Sequence, residues 1–201
     1  DIVEIEIVKD KKYFMEGKVL KYIKKNPNRY KKVCKYYDKC GGCHIMHLPY
    51  EEQLNFKYEK IKNIIHKYLK ENIKINDIVK SDNQFYYRNK VKFQYQDNVI
   101  GFYNNNSNDI IKIDKCLLLQ NKLNNEIKKI DKNTLTLRTN GKEVIKNESD
   151  KLICTIGKYK FYVSLNSFFQ INDNVTLKLY NKVLEYAKPN NDIILDLYCG
   201  T

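Results

Sequence analysis

Residues 34–43 read Cys34-Lys-Tyr-Tyr-Asp-Lys-Cys40-Gly-Gly-Cys43, and the rest of the chain organises itself around this loop. Three thiolates on one short loop can converge on a metal ion or an iron–sulfur cluster. The Gly41-Gly42 pair frees the backbone to turn its amides toward the sulfurs. Lys32, Lys35 and Lys39 flank the thiols and favour their ionised forms. A fourth ligand has to come from elsewhere. Cys116 is one candidate, because Leu117-Leu118-Leu119 follows it and would keep water from a cluster. The rival is a Cys3His zinc site completed by His44 or His47.

Upstream of the loop, Val3, Ile5 and Ile7 alternate with polar residues, the period of a half-buried strand. Gly17 punctuates the run, and Val19 to Ile23 gives a second strand. The pair reads as the last hairpin of a small β-barrel. Downstream, Pro49 stands at a helix start, followed by Glu51 and Glu52, which suit the positive end of the helix dipole. Leu54, Tyr58, Ile61, Ile65 and Leu69 recur every three or four residues, an amphipathic helix ending near Glu71.

From Ile78 onward the pattern changes to strands. Val91, Phe93 and Tyr95 alternate, Asp97-Asn98 turns, and Val99 to Tyr103 returns. Asn104 to Asn108 reads as a loop, Ile110 to Ile113 as a strand leading to Cys116, and Leu119, Leu123, Ile127 and Ile130 as a helix. Hairpins are expected at Asn140-Gly141 and Gly157-Lys158. Asn172 can cap a helix carrying Leu179, Val183 and Ala187 that Pro189 ends. The run Ile193 to Leu197 reads as a buried strand, stopping at Tyr198-Cys199-Gly200-Thr201.

The 201 residues include 37 Lys or Arg against 24 Asp or Glu, a net charge of +13. Only Arg29, Arg88 and Arg138 are arginine, and asparagine is abundant, so part of this excess reflects an AT-rich coding bias. The charge still suits a nucleic-acid partner. No apolar run approaches the length of a membrane span, and the N-terminus lacks a signal peptide's apolar stretch. A soluble, cytoplasmic protein without an obligate protein partner is therefore expected. Its thiols then serve metal or chemistry rather than disulfides. The first residue is Asp1 rather than Met, which points to a piece of a longer chain.

Five stretches together resemble the iron–sulfur RNA uracil-5-methyltransferases that modify 23S ribosomal RNA. They are Cys34-x5-Cys40-Gly-Gly-Cys43, His47-Leu-Pro-Tyr-Glu-Glu-Gln-Leu54, Tyr87-Arg88-Asn89-Lys90 with the later Cys116, Ser167-Phe168-Phe169-Gln170-Ile171-Asn172, and Asp196-Leu-Tyr-Cys-Gly-Thr201. Met46 stands where the family has Gln, and Asn108 where it has His. The resemblance implies an α+β architecture in four parts. Residues 1–30 would be the end of an OB-like TRAM barrel, 31–71 the iron–sulfur loop and helix, and 72–165 a hairpin-rich central domain. Residues 166–201 would begin a Rossmann-like methyltransferase domain, giving its first helix and strand.

The resemblance also implies that Cys34, Cys40, Cys43 and Cys116 bind a 4Fe–4S cluster, and that Gln170 and Tyr198 contact S-adenosylmethionine. Of Phe168 and Phe169, at most one faces RNA, and Phe168 is the candidate for stacking on a base. Arg88 is a candidate phosphate contact, with a salt bridge as its alternative. Cys154 reads as core. Cys199 lies in a cofactor turn and is not the nucleophile. The implied chemistry adds a thiolate to uracil C6, methylates C5 and removes the C5 proton with a general base. Nucleophile and base are expected beyond Thr201, so no catalytic residue is expected in this chain, which alone is expected to be inactive. The reading from a different class is a non-catalytic RNA-binding module stabilised by iron–sulfur or zinc.

Overall fold

The computed structural model describes residues 1–29, 33–69, 73–190 and 193–197. It opens with an antiparallel hairpin, β1 (Ile2–Lys11) and β2 (Phe14–Lys24). The turn lies between Lys11 and Phe14, which pair. Gly17 sits inside β2 opposite Ile7. A Cβ at Gly17 would come within 3.1 Å of Ile5 Cδ1, so the glycine makes room for a cross-strand isoleucine rather than a turn. The expected half-buried face is not seen. Only Val3 is half-buried and the rest of both strands is exposed. The register shifts skip Ile23 and Leu20 of β2 and Val8 of β1, which leaves Val3, Ile5 and Ile7 alternating, but the two strands form a sheet of their own and no described strand extends it to cover that face.

Helix α1 (Tyr50–Leu69) starts after Pro49, with Glu51 and Glu52 in its first turn and Lys67 in its last, each charge opposing the nearer end of the dipole. Only Leu54 of its apolar stripe is buried, and Ile61 and Leu69 are exposed. Glu71, the expected end, lies outside the described residues.

The central region splits an apparently continuous strand between two sheets. β3 (Lys90–Lys92) pairs with β7 (Thr136–Thr139), which pairs with β8 (Val144–Ile145). β4 (Gln94–Gln96), β5 (Val99–Tyr103) and β6 (Ile110–Lys112) form a separate meander. Phe93 is the crossing point. Its amide donates to Leu135 O at 2.8 Å, and its ring stacks on Phe102 with centroids 5.1 Å apart. The β4–β5 turn uses Asp97 and Asn98 at φ 50° and 61°, the left-handed pair of a two-residue hairpin. β6 ends at Lys112, four residues before Cys116, so the cysteine occupies a turn rather than a strand end.

Helix α2 (Asn121–Glu126) runs into a 3₁₀ turn over Ile127–Lys129 and buries Leu123. The β7–β8 connection has four residues instead of the expected two. Asn140 Oδ1 accepts from the amides of Lys142 and Glu143, which widens the loop beyond an Asn-Gly turn. β9 (Lys151–Ile156) and β10 (Tyr159–Ser164) turn at Gly157-Lys158 as expected, Gly157 having φ 59°. Helix α3 (Asp173–Ala187) is capped by Asn172, whose side chain accepts from Val175 N, and ends at Lys188 in a left-handed conformation.

Two apolar cores result. Ile145, Leu152, Cys154, Ile156, Val163, Leu165 and Phe169 form one, and Val91, Phe93, Ile113, Leu119, Leu123 and Leu137 the other. The β3–β7–β8 sheet contributes to both. One expectation fails here. Ile193 to Leu197 forms no strand and is exposed, Ile193 fully so. A run this apolar becomes an interior strand only between neighbouring strands, and no described strand pairs with it.

Candidate functional site

The cysteine loop is built by turns and then fastened to the β5–β6 edge. Tyr37 N and Cys40 N donate to Cys34 O and Tyr36 O, coiling the loop on itself. Gly41 N donates to Tyr103 O at 2.8 Å, and Cys40 bridges to Asn104. A Cβ on Gly41 would lie 3.1 Å from Tyr103 O and 3.3 Å from Asn104 O, so this close approach requires glycine. The asparagine run read as plain surface loop in fact holds the cysteine loop. Asn105 N donates to Lys39 O, and Asn105 Nδ2 to Asp38 O. A second fastening joins the loop to the approach to Cys116. Tyr36 Oη donates to Asp114 Oδ1 at 2.6 Å and accepts from Asp114 N, and Lys35 Nζ pairs with Asp114 at 2.7 Å. Lys35 thus serves a carboxylate at the surface and not the thiols. Lys32 lies outside the described residues.

Cys34, Cys40, Cys43 and Cys116 line one cavity of about 400 Å³. Cys116 is set by Asn124, which sequence reasoning missed. Asn124 Oδ1 accepts from Cys116 N at 2.8 Å, while Nδ2 donates to Cys116 O at 3.0 Å and Leu119 O at 2.9 Å. Burial pushes the Cys43 thiol up to about 12, reinforced by its three cysteine neighbours. Burial also raises Cys116 and Cys40, against amides aimed at their sulfurs: Leu118 and Leu119 at Cys116, Gly42 at Cys40. Gly42 therefore turns its amide inward as expected, whereas Gly41 spends its own on β5.

The cavity wall carries Arg88, Lys90, Lys92 and Lys115 and no carboxylate. Neither His44 nor His47 lines it. His47 Nδ1 instead meets Tyr37 Oη at 2.6 Å. Among the described residues no group of three or more His, Cys, Asp or Glu closes around a single ion. A tetrahedral zinc needs its sulfurs about 2.3 Å from one point. The four thiols instead stand around one cavity edged with cations.

A short segment, residues 86–89, joins this cavity to the loop carrying Gln170. Tyr86 N and Arg88 N donate to Leu117 O and Leu118 O, and Gln120 N donates to Arg88 O. On the other side, Asn89 N donates to Ile171 O at 3.0 Å, and Asn89 Nδ2 donates to Gln170 O and to Asp173 Oδ1. Arg88, a candidate for RNA phosphate, faces the cysteine cavity, with Nε donating to Lys90 O. Phe169 is buried against Phe161, with centroids 5.8 Å apart, whereas Phe168 is 79% exposed. Cys154 is buried in the core. Tyr198 and Cys199 lie outside the described residues.

No protein-family profile matches the chain. Individual relatives do. An uncharacterized RNA methyltransferase of Clostridium tetani is 29% identical over 99% of this chain and 60% of its own length. One of Staphylococcus aureus strain COL is 30% identical over 98% of this chain and 61% of its own. Along nearly its whole length the chain is similar to these RNA methyltransferases. It spans about three fifths of the length of the relatives it matches. Among solved structures, the tRNA (uracil-54, C5)-methyltransferase of Pyrococcus abyssi, in complex with S-adenosyl-L-homocysteine, shares the fold. Its TM-score is 0.58 at 20% identity, over 90% of this chain and 56% of that one. No helix among the described residues is long and apolar enough to cross a membrane.

Proposed function

We propose that the whole protein methylates C5 of uracil in RNA, of ribosomal origin, with S-adenosylmethionine as donor, and that Cys34, Cys40, Cys43 and Cys116 hold a 4Fe–4S cluster. The observation that carries the activity is the match to RNA methyltransferases along 98–99% of the chain. The cluster is supported by the cavity, where four thiols meet four cations and no acid. The donor, when bound, supplies the methyl group, and the cluster, when bound, cross-links four thiolates.

The chain's own residues position these groups. Asn89 holds the Gln170 backbone, so that the side chain can meet the donor together with Tyr198. Phe169 anchors the loop in the core and Phe168 lies at the surface, where its ring is the candidate for stacking on a base. Arg88 and its basic neighbours offset the charge of the thiolates. We place the nucleophilic thiolate and the general base outside these residues.

The test is nucleoside mass spectrometry of RNA treated with full-length enzyme and S-adenosylmethionine. 5-Methyluridine is the expected product, and absence of methylation, or a methylated nucleoside other than uridine, refutes the reading. Anaerobically purified protein should be brown, and Cys116→Ala should bleach it. Colourless protein with stoichiometric zinc refutes the cluster.

A further inference from the structure

Outside the cysteine site, the β3–β7 pairing creates a second concentration of positive charge. Lys90 and Arg138 stand opposite each other in register. Both reach a single acceptor, the carbonyl oxygen of Ser167, Lys90 Nζ at 3.4 Å and Arg138 through Nη2. Arg138 is 1% exposed, and its Nε and Nη1 have no partner. No carboxylate among the described residues acts on either cation. Their neighbours are further positive groups and the Cys154 thiol.

Burying a guanidinium without a counter-charge is costly, and a carbonyl dipole shared between two cations offsets little of that cost. The donor geometry therefore describes an anion site in which a main-chain oxygen stands in for the anion. A planar fork beside an ammonium suits a phosphodiester, which accepts several hydrogen bonds at once. Lys90 is only half-buried, so an anion arriving from solvent meets its ammonium first. The residue after Ser167 is the exposed Phe168, so a nucleotide could set its base on the ring and its phosphate on the two cations.

We propose that Lys90 and Arg138 form a phosphodiester-binding site for the RNA strand, in which a phosphate oxygen takes the acceptor position held by the Ser167 carbonyl. This rests on the RNA reading above and adds to it the residues that fix the strand's register.

The experiment measures binding of a fluorescein-labelled, uridine-rich single-stranded RNA to the full-length protein by anisotropy. The salt concentration is varied from about 50 to about 300 mM potassium chloride. Lys90→Met and Arg138→Met should each weaken binding about tenfold at low salt. Each should also flatten the plot of log Kd against log salt by about 0.7, the share of one phosphate contact in a single strand. Lys90→Arg should restore both quantities. Lys90 is only half-buried, so its variants test the site even if Arg138→Met fails to fold. A wild-type chain that binds RNA, with variants of unaltered slope, overturns the site and leaves the RNA reading standing. Lower thermal stability of Arg138→Met with an unaltered slope means that the arginine only holds the Ser167 carbonyl in place, and it overturns the site likewise. If the wild type binds no RNA, the RNA reading fails and takes the site with it.

Discussion

Replacing Asn124 separates the setting of Cys116 from the thiol itself. Its amide makes three hydrogen bonds, one from Cys116 N and two to the carbonyls of Cys116 and Leu119. Each is worth roughly 0.5–1.5 kcal/mol net, and Asn124 is half-buried, so water can reclaim part of the loss. Asn124→Ala should therefore cost about 2 kcal/mol, a shift of about 1 M in the urea midpoint for a domain of this size.

Asn124→Asp is the sharper variant. It keeps the shape and the acceptor for Cys116 N, but sets a carboxylate oxygen against two carbonyl oxygens. At neutral pH it should be less stable than Asn124→Ala, and it should regain stability on acidification, as protonation restores a donor. Urea titration followed by far-ultraviolet circular dichroism measures both, and the rate of thiol labelling at Cys116 reports its exposure. Asn124→Ala within about 0.5 kcal/mol of wild type, or Asn124→Asp as stable as wild type at pH 7, refutes the reasoning.

Three further outcomes are expected. Burial raises the Asp173 carboxyl above its usual range, against the donors Asn89 and Gln120. The folded state then holds its proton more tightly, so the group's contribution is complete below the ordinary carboxylate value and is lost as pH climbs through the raised one. Wild type should thus lose stability relative to Asp173→Asn as pH rises above about 4, and coincident pH–stability curves would contradict this. Gly101→Ala would put a Cβ 1.9 Å from Ile111 O, a backbone collision that should separate β5 from β6 and lower stability by at least about 3 kcal/mol in calorimetry. Phe169→Ala should cost about 3–5 kcal/mol, whereas Phe168→Ala, at a largely exposed ring, should cost much less stability and weaken RNA binding by about 1–3 kcal/mol, both readable from melting and anisotropy.

Local signals were legible wherever the deciding interaction is local. Asp97-Asn98, Gly157-Lys158 and the Asn172 cap are each specified by a few adjacent residues, and each formed where the sequence placed it. Cys34, Cys40 and Cys43 likewise line one cavity because a single short loop carries them. Interactions that depend on distant partners were not legible. The alternation of Val91, Phe93 and Tyr95 has the same period whether a strand stays in one sheet or changes sheet at Phe93. Nothing in the run Asn104 to Asn108 announces that its groups hold Lys39 and Asp38. Asn124 sits on a helix like any polar residue, and its contact with Cys116 emerges only when α2 folds back. Apolar period also overstates burial when nothing covers the stripe, as on β1, α1 and residues 193–197.

The segment 86–89 is gripped on both sides chiefly by peptide groups. Tyr86 and Arg88 engage residues 117, 118 and 120, and Asn89 engages residue 171. Peptide groups are the same whatever side chains they carry, so the spacing between the cysteine cavity and the Gln170 loop is set by chain length more than by composition. Substitution at Tyr86 or Tyr87 leaves that ruler intact. Adding or removing a single residue there would shift one set of hydrogen bonds out of step with the other, and the two sites would lose their common frame at once.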